Sequence, residues 1–208
     1  MRVGMDRRIG VLPGFAAVAA AMIFLFAVPK GYFVAATFAA TTVMMVVAYL
    51  VGNARLPRPA PRHLLIGLGS AVILYFIFYA GNLAITNKGL LGVSGSSEAS
   101  IYALIASPSN PLLLQVCVLA FDAAGYESFF RGTLQDRLQP RLGIGAAPAV
   151  ALVDAGLHAA TLNPLWVVTT FVADLAWGLT YRYGRNLSAN LTSHFLWDLA
   201  VFIIRPIR

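Results

Sequence analysis

Residues 122–138 read DAAGYESFFRGTLQDRL. The stretch opens inside an apolar run and closes among charges. Glu127 and Arg131 stand four residues apart, so on a helix they share one face. An acid and a base at the edge of a hydrocarbon segment are costly to insert, and such groups are kept for a partner or a task. Two later stretches repeat the spacing: Asp154 with His158, and His194 with Asp198.

The rest of the chain explains why the environment is lipid. Of its 208 residues, 59% are hydrophobic and 11% charged, against about 25% charged in a soluble domain. The expected fold is all-α, a polytopic transmembrane helical bundle of about seven spans (six to eight) at about 20 residues each. It forms a single membrane-embedded domain over residues 1–208. The net charge of +7 marks cytoplasmic loops rather than a nucleic-acid surface, because no basic patch is interleaved with aromatics. The expected partners are the lipid bilayer and a substrate within it, and no nucleic acid. Cys117 is the single cysteine, which excludes an intrachain disulfide; it is expected to pack.

Spans are expected at residues 9–28, 32–51, 64–85, 111–138, 143–162, 165–181 and 187–204. The basic tail at residues 1–8 and the loop NARLPRPAPRH at 53–63 flank the first hairpin. Both are placed in the cytoplasm, with the N-terminus, by the positive-inside rule. His63 is read as solvated in that loop. The Gly- and Ser-rich stretch at 86–110 is expected outside, as a loop or with a short helix at 98–106. An Ala-, Arg- and Gly-rich composition points to the plasma (inner) membrane of a prokaryote.

Of eight acidic residues, Asp122, Glu127, Asp154, Asp174 and Asp198 fall in apolar segments. Each charge near a bilayer centre costs at least about 2.5–3.5 kcal/mol. Five together exceed a typical domain's stability margin, about 5–15 kcal/mol, so they must be paired, protonated or turned towards water. At 1.5 Å rise per residue, Glu127 lies about 15 Å from the cytoplasmic interface and His158 about 22 Å. His194 and Asp198 lie about 14 and 20 Å in by the same rise. These groups therefore share one layer. Asn190 adds a polar group one turn before His194.

Such a set can do several things. A carboxylate beside a histidine can fix its tautomer and raise its basicity, and the pair can deprotonate a water. A second histidine with an acid can hold an oxyanion. Two histidines and a carboxylate, here His158, His194 and Asp198, can bind a divalent metal such as zinc. Spacing does not choose among these. A proton-coupled transporter would also use intramembrane acids, but inverted repeats and broken helices are not visible.

The run Tyr126-Glu127-Ser128-Phe129-Phe130-Arg131-Gly132 resembles the Glu-Glu-x-x-x-Arg-Gly motif of the CPBP (CAAX protease and bacteriocin-processing) intramembrane proteases. That family includes the type II CAAX prenyl endopeptidase. Its second motif, Phe-x-x-x-His, is matched by Asp154-x-x-x-His158. Its third, His-x-x-x-Asn or Asp, is matched by His194-x-x-x-Asp198. The resemblance covers residues 111–204 and implies an intramembrane endopeptidase of glutamate or metal type. It implies catalytic roles for Glu127, His158, His194 and Asp198, with Arg131, Asp154, Tyr126 and Asn190 in support. The implied substrate is a membrane-anchored protein or peptide cut near its terminus.

Two positions depart from the pattern. Tyr126 stands where the family has its first Glu, and Asp154 where it has Phe. Neighbouring helix positions point about 100° apart, so Glu127 takes over the first Glu's direction only through a helix rotation or bulge. Three readings follow: Glu127 works in a shifted site, Asp154 supplies the lost acid, or the chain is a non-catalytic member acting in immunity or as a scaffold.

Overall fold

A backbone in hydrocarbon must satisfy its own hydrogen bonds, which leaves helices as the solution for apolar runs. The computed structural model describes residues 11–52, 58–88, 95–105 and 110–207, and the described regular structure is helical. The basic tail at 1–8 and much of the loops at 53–63 and 86–110 lie outside these residues. The long helices are α1 (Val11–Ala27), α2 (Phe33–Val51), α3 (Pro61–Lys88), α8 (Pro164–Gly184) and α9 (Leu187–Leu199). A shorter α4 (Gly95–Ile105) occupies part of the expected external stretch. Between them, α5 (Leu112–Tyr126) runs through a π-helical segment (Glu127–Gln135) into α6 (Asp136–Leu142), and α7 (Ala146–His158) follows.

Among the described residues, four segments are long and apolar enough to cross a membrane: Lys30–Val51, Pro61–Ile85, Leu112–Thr161 and Leu187–Ile204. The third holds two of the expected spans. Gly143 adopts φ +56°, a conformation that glycine reaches without a Cβ penalty. There the chain turns back, and α7 packs on the π segment and α6. The helix runs past the expected span end at 138, with Pro140 inside α6, and Gly143 makes the break. The start of α8 is set by Asn163, whose side chain accepts from the backbone N–H groups of Leu165 and Trp166, with Pro164 at the first position.

The main helix pairs are α7 with α8, α3 with α9, α1 with α2, and α2 with α5. Lipid takes the outer faces, as on α3, where Leu65, Ile73 and Phe76 are more than half exposed. Inside, small residues allow close approach. A Cβ built on Gly125 would lie 2.3 Å from Thr41 Cγ2, so this glycine sets the α2–α5 spacing. Gly156, by contrast, faces open space. Two further expectations fail. His63 is buried and accepts a hydrogen bond from Arg62 Nε, because α3 begins at Pro61 and takes His63 into its first turn. Cys117 is exposed on α5, on the side of that helix away from the core.

Candidate active site

Four helices carry the polar layer inward. Tyr126 and Asp122 come from α5, Asp154 and His158 from α7, Asp174 from α8, and His194 and Asp198 from α9. All seven line one cavity of about 140 Å³. The α1–α2 hairpin closes it with Phe26, Phe33 and Thr37. Of the four groups expected to share one layer, His158, His194 and Asp198 meet at this cavity and Glu127 does not line it.

Each histidine is held from behind. His158 Nδ1 lies 3.0 Å from the Asp154 carbonyl oxygen and 3.4 Å from the Asp154 carboxylate. Both partners can only accept, so Nδ1 carries the proton and Nε2 keeps its lone pair. Tyr126 Oη stands 3.4 Å from that Nε2. His194 Nδ1 lies 2.9 Å from Glu127 Oε1, and its Nε2 faces Asp198 Oδ2 at 3.5 Å. Trp177 stacks on the His194 ring at 3.8 Å between centroids. Phe26 and Trp166 pack around His158, at 4.9 and 5.9 Å.

Glu127 occupies a different position from the other acids. It is 1% exposed and does not line the cavity. Its carboxylate is shared between His194 and Arg131, whose Nε is 3.5 Å away. Arg131, fully buried, also bonds Asp174 through Nη2 and Gln135 through Nη1. Gln135 in turn donates to the Gly178 carbonyl at 2.7 Å. Asn190 donates to the Trp177 carbonyl at 2.8 Å, which fixes α9 against α8.

The π segment explains this arrangement. It begins at Glu127, and the Thr133 hydroxyl bonds the Ser128 carbonyl five residues back. A π turn holds an extra residue, and such bulges recur at functional sites. The bulge begins at Glu127, but it does not bring that side chain to the cavity. It aims the carboxylate at His194, while Tyr126 takes the cavity wall.

Of the metal ligands expected from the sequence, His194 and Asp198 are brought together, but with Asp122 as third member instead of His158. The ligand atoms of Asp122, His194 and Asp198 lie within 4.8 Å of one another. His158 is held away from them by its bonds to Asp154 and Tyr126. Asp122 was legible only as one more intramembrane acid; the signal that could have singled it out is its place one turn before Tyr126.

Residues 108–200 match the model of type II CAAX prenyl endopeptidase, Rce1-like. Over these residues the chain is similar to the CAAX-protease family. The match takes in Tyr126, Glu127, Arg131, His158, His194 and Asp198, and leaves out the α1–α2 hairpin that helps to wall the cavity. No match was found among curated proteins or among solved structures. With helices able to span a bilayer, the family makes the chain an integral membrane protein.

Proposed function

We propose that the chain is an intramembrane endopeptidase that hydrolyses a peptide bond near the terminus of a membrane-anchored protein or peptide. The cavity carries this reading. Histidines from two helices reach it, each with one ring nitrogen held from behind and the other left for chemistry. His158 is the base: Nε2 takes a proton from a water as its oxygen adds to the peptide carbonyl. The same proton passes to the leaving amine as the C–N bond breaks. The hydroxyl of Tyr126 is the donor nearest that nitrogen, and the His194–Asp198 end of the cavity faces the developing oxyanion. Glu127 acts through His194, as a positioning residue.

A second, apolar cavity of about 220 Å³ adjoins the first and shares Ile101, Thr169, Trp197 and Phe202 with it. An apolar recess beside a polar one suits a substrate with a hydrocarbon anchor next to its scissile bond. CAAX-like tails, C-terminal sorting tails and leader peptides are the classes to assay.

One observation favours a second reading, a non-catalytic member of the family: Tyr126 stands at the first Glu position of the motif. The test is direct. Protein reconstituted in vesicles is given candidate tail peptides, and wild type is compared with His158→Ala and Glu127→Gln. Cleavage by wild type and its loss in His158→Ala support the enzyme. No cleavage of any class supports the silent member, and proton-driven solute uptake without cleavage would make the chain a transporter.

A further inference from the structure

Asp122, His194 and Asp198 present a charge problem that the hydrolytic scheme leaves open. Their ligand atoms lie within 4.8 Å of one another in the bundle interior. His194 and Asp198 are both more than nine-tenths buried. No lysine or arginine lines the cavity among the described residues; Arg131 lies behind it, committed to Glu127 and Asp174. Asp154 adds a further carboxylate to the wall, 1% exposed, whose nearest basic neighbour is His158 Nδ1 at 3.4 Å. Acids in this setting call for a cation.

Three details give the cluster the form of a ligand set. Glu127 accepts from His194 Nδ1 at 2.9 Å, so Nε2 is the nitrogen directed towards Asp198. A carboxylate behind a histidine is the usual support of a metal-bound imidazole. Trp177 stacks on the ring and fixes its plane. The Thr41 hydroxyl donates to Asp122 Oδ1 at 3.0 Å, which orients the second carboxylate. We infer that Asp122, His194 and Asp198 form a binding site for a single divalent cation of the zinc class, held by one imidazole and two carboxylates. Tetrahedral ligands at about 2.1 Å from zinc sit about 3.4 Å apart. The widest pair therefore closes by no more than about 1.4 Å on the ion. On the hydrolytic reading, the cation would supply positive charge at the end of the cavity facing the oxyanion. Its binding does not depend on that reading.

The test uses the full chain purified in detergent and stripped with a chelator, with zinc as the probe. Equilibrium dialysis should give one tightly bound zinc per chain. Asp122→Asn and Asp198→Asn should each weaken binding at least tenfold, and Glu127→Gln by about 10–100-fold through the bond that holds His194 Nδ1. His63→Gln and His158→Gln should leave it unchanged. X-ray absorption of the wild-type complex should show one imidazole among oxygen ligands, a readout that needs no variant to fold. Absence of stoichiometric zinc, two imidazoles in the spectrum, or binding that survives both Asn substitutions would overturn the site. None of these measurements involves peptide cleavage, so failure of the cation site and failure of the peptidase reading are told apart.

Discussion

Two buried polar regions adjoin, and they differ in the cation that their carboxylates face. In the brace, Glu127, Arg131 and Gln135 with Asp174 at the cavity edge, a guanidinium stands between two carboxylates, and the group is tied to the α8 backbone. The wall of the cavity, Asp122, Tyr126, Asp154, His158 and Asp198, has no lysine or arginine among the described residues, and Asp154 and Asp198 face only histidines, at 3.4 and 3.5 Å. Polar groups with partners hold helices together. Polar groups left facing a cavity await water, substrate or an ion. The comparison assigns stability to the brace and chemistry to the wall, and substitutions can break it.

The largest expected effect is on the brace. Arg131→Met leaves Glu127 and Asp174 buried without their cation. Loss of one partner from such a group costs about 3–5 kcal/mol. Thermal unfolding in detergent should show a marked drop in midpoint or a failure to fold. An unchanged midpoint would show that the ion network does not hold α8 to the π segment. On the wall, His158→Gln should do the reverse. Peptide cleavage should fall about 10²–10⁴-fold for loss of a general base, while the unfolding midpoint stays near that of wild type.

Between the two lies the packing that sets the cavity's width. Gly125→Ala would place a methyl group 2.3 Å from Thr41 Cγ2 and 3.0 Å from the Thr41 carbonyl oxygen. Overpacking of this kind costs about 1–3 kcal/mol. Because Thr41 also bonds Asp122, the same change should lower activity more than unfolding alone explains. Equal, small losses in both readouts would separate helix spacing from the site.

Much of the fold is legible in the sequence because lipid imposes simple rules. The expected span at 32–51 appears as a turn and helix over Lys30–Val51, and the expected 187–204 as Leu187–Ile204. Pairs four residues apart meet as ion pairs: Glu127 with Arg131, Asp154 with His158, His194 with Asp198. Direction is what the residues conceal. Helical periodicity assumes an even 100° step, and the π segment breaks that step at Glu127. Glu127, given a catalytic role by the family resemblance, bonds His194 behind the cavity, while Asp122, a turn earlier, lines it. His63 and Cys117 fail for a related reason. Their neighbours are polar and apolar respectively, but burial depends on which face a helix turns inward, and that is set by distant packing.

The smallest effect tests the position where the motif departs from its family. Tyr126 is buried, stacks on Phe130 at 5.1 Å and holds its hydroxyl 3.4 Å from His158 Nε2. Tyr126→Phe keeps the ring and its packing and removes only the hydroxyl. A net hydrogen bond is worth about 0.5–1.5 kcal/mol, so cleavage should fall between about twofold and tenfold. Stability should hold, because the phenyl ring fills the same space and His158 keeps its bond to Asp154. If Tyr126 belongs to the wall, the loss appears in kcat with KM nearly unchanged, as expected for a group that acts on the base His158 and not on substrate binding. If the hydroxyl serves packing alone, the midpoint moves and kcat does not. That result would move Tyr126 from the wall to the brace and leave His158 without a neighbouring donor in the proposed scheme.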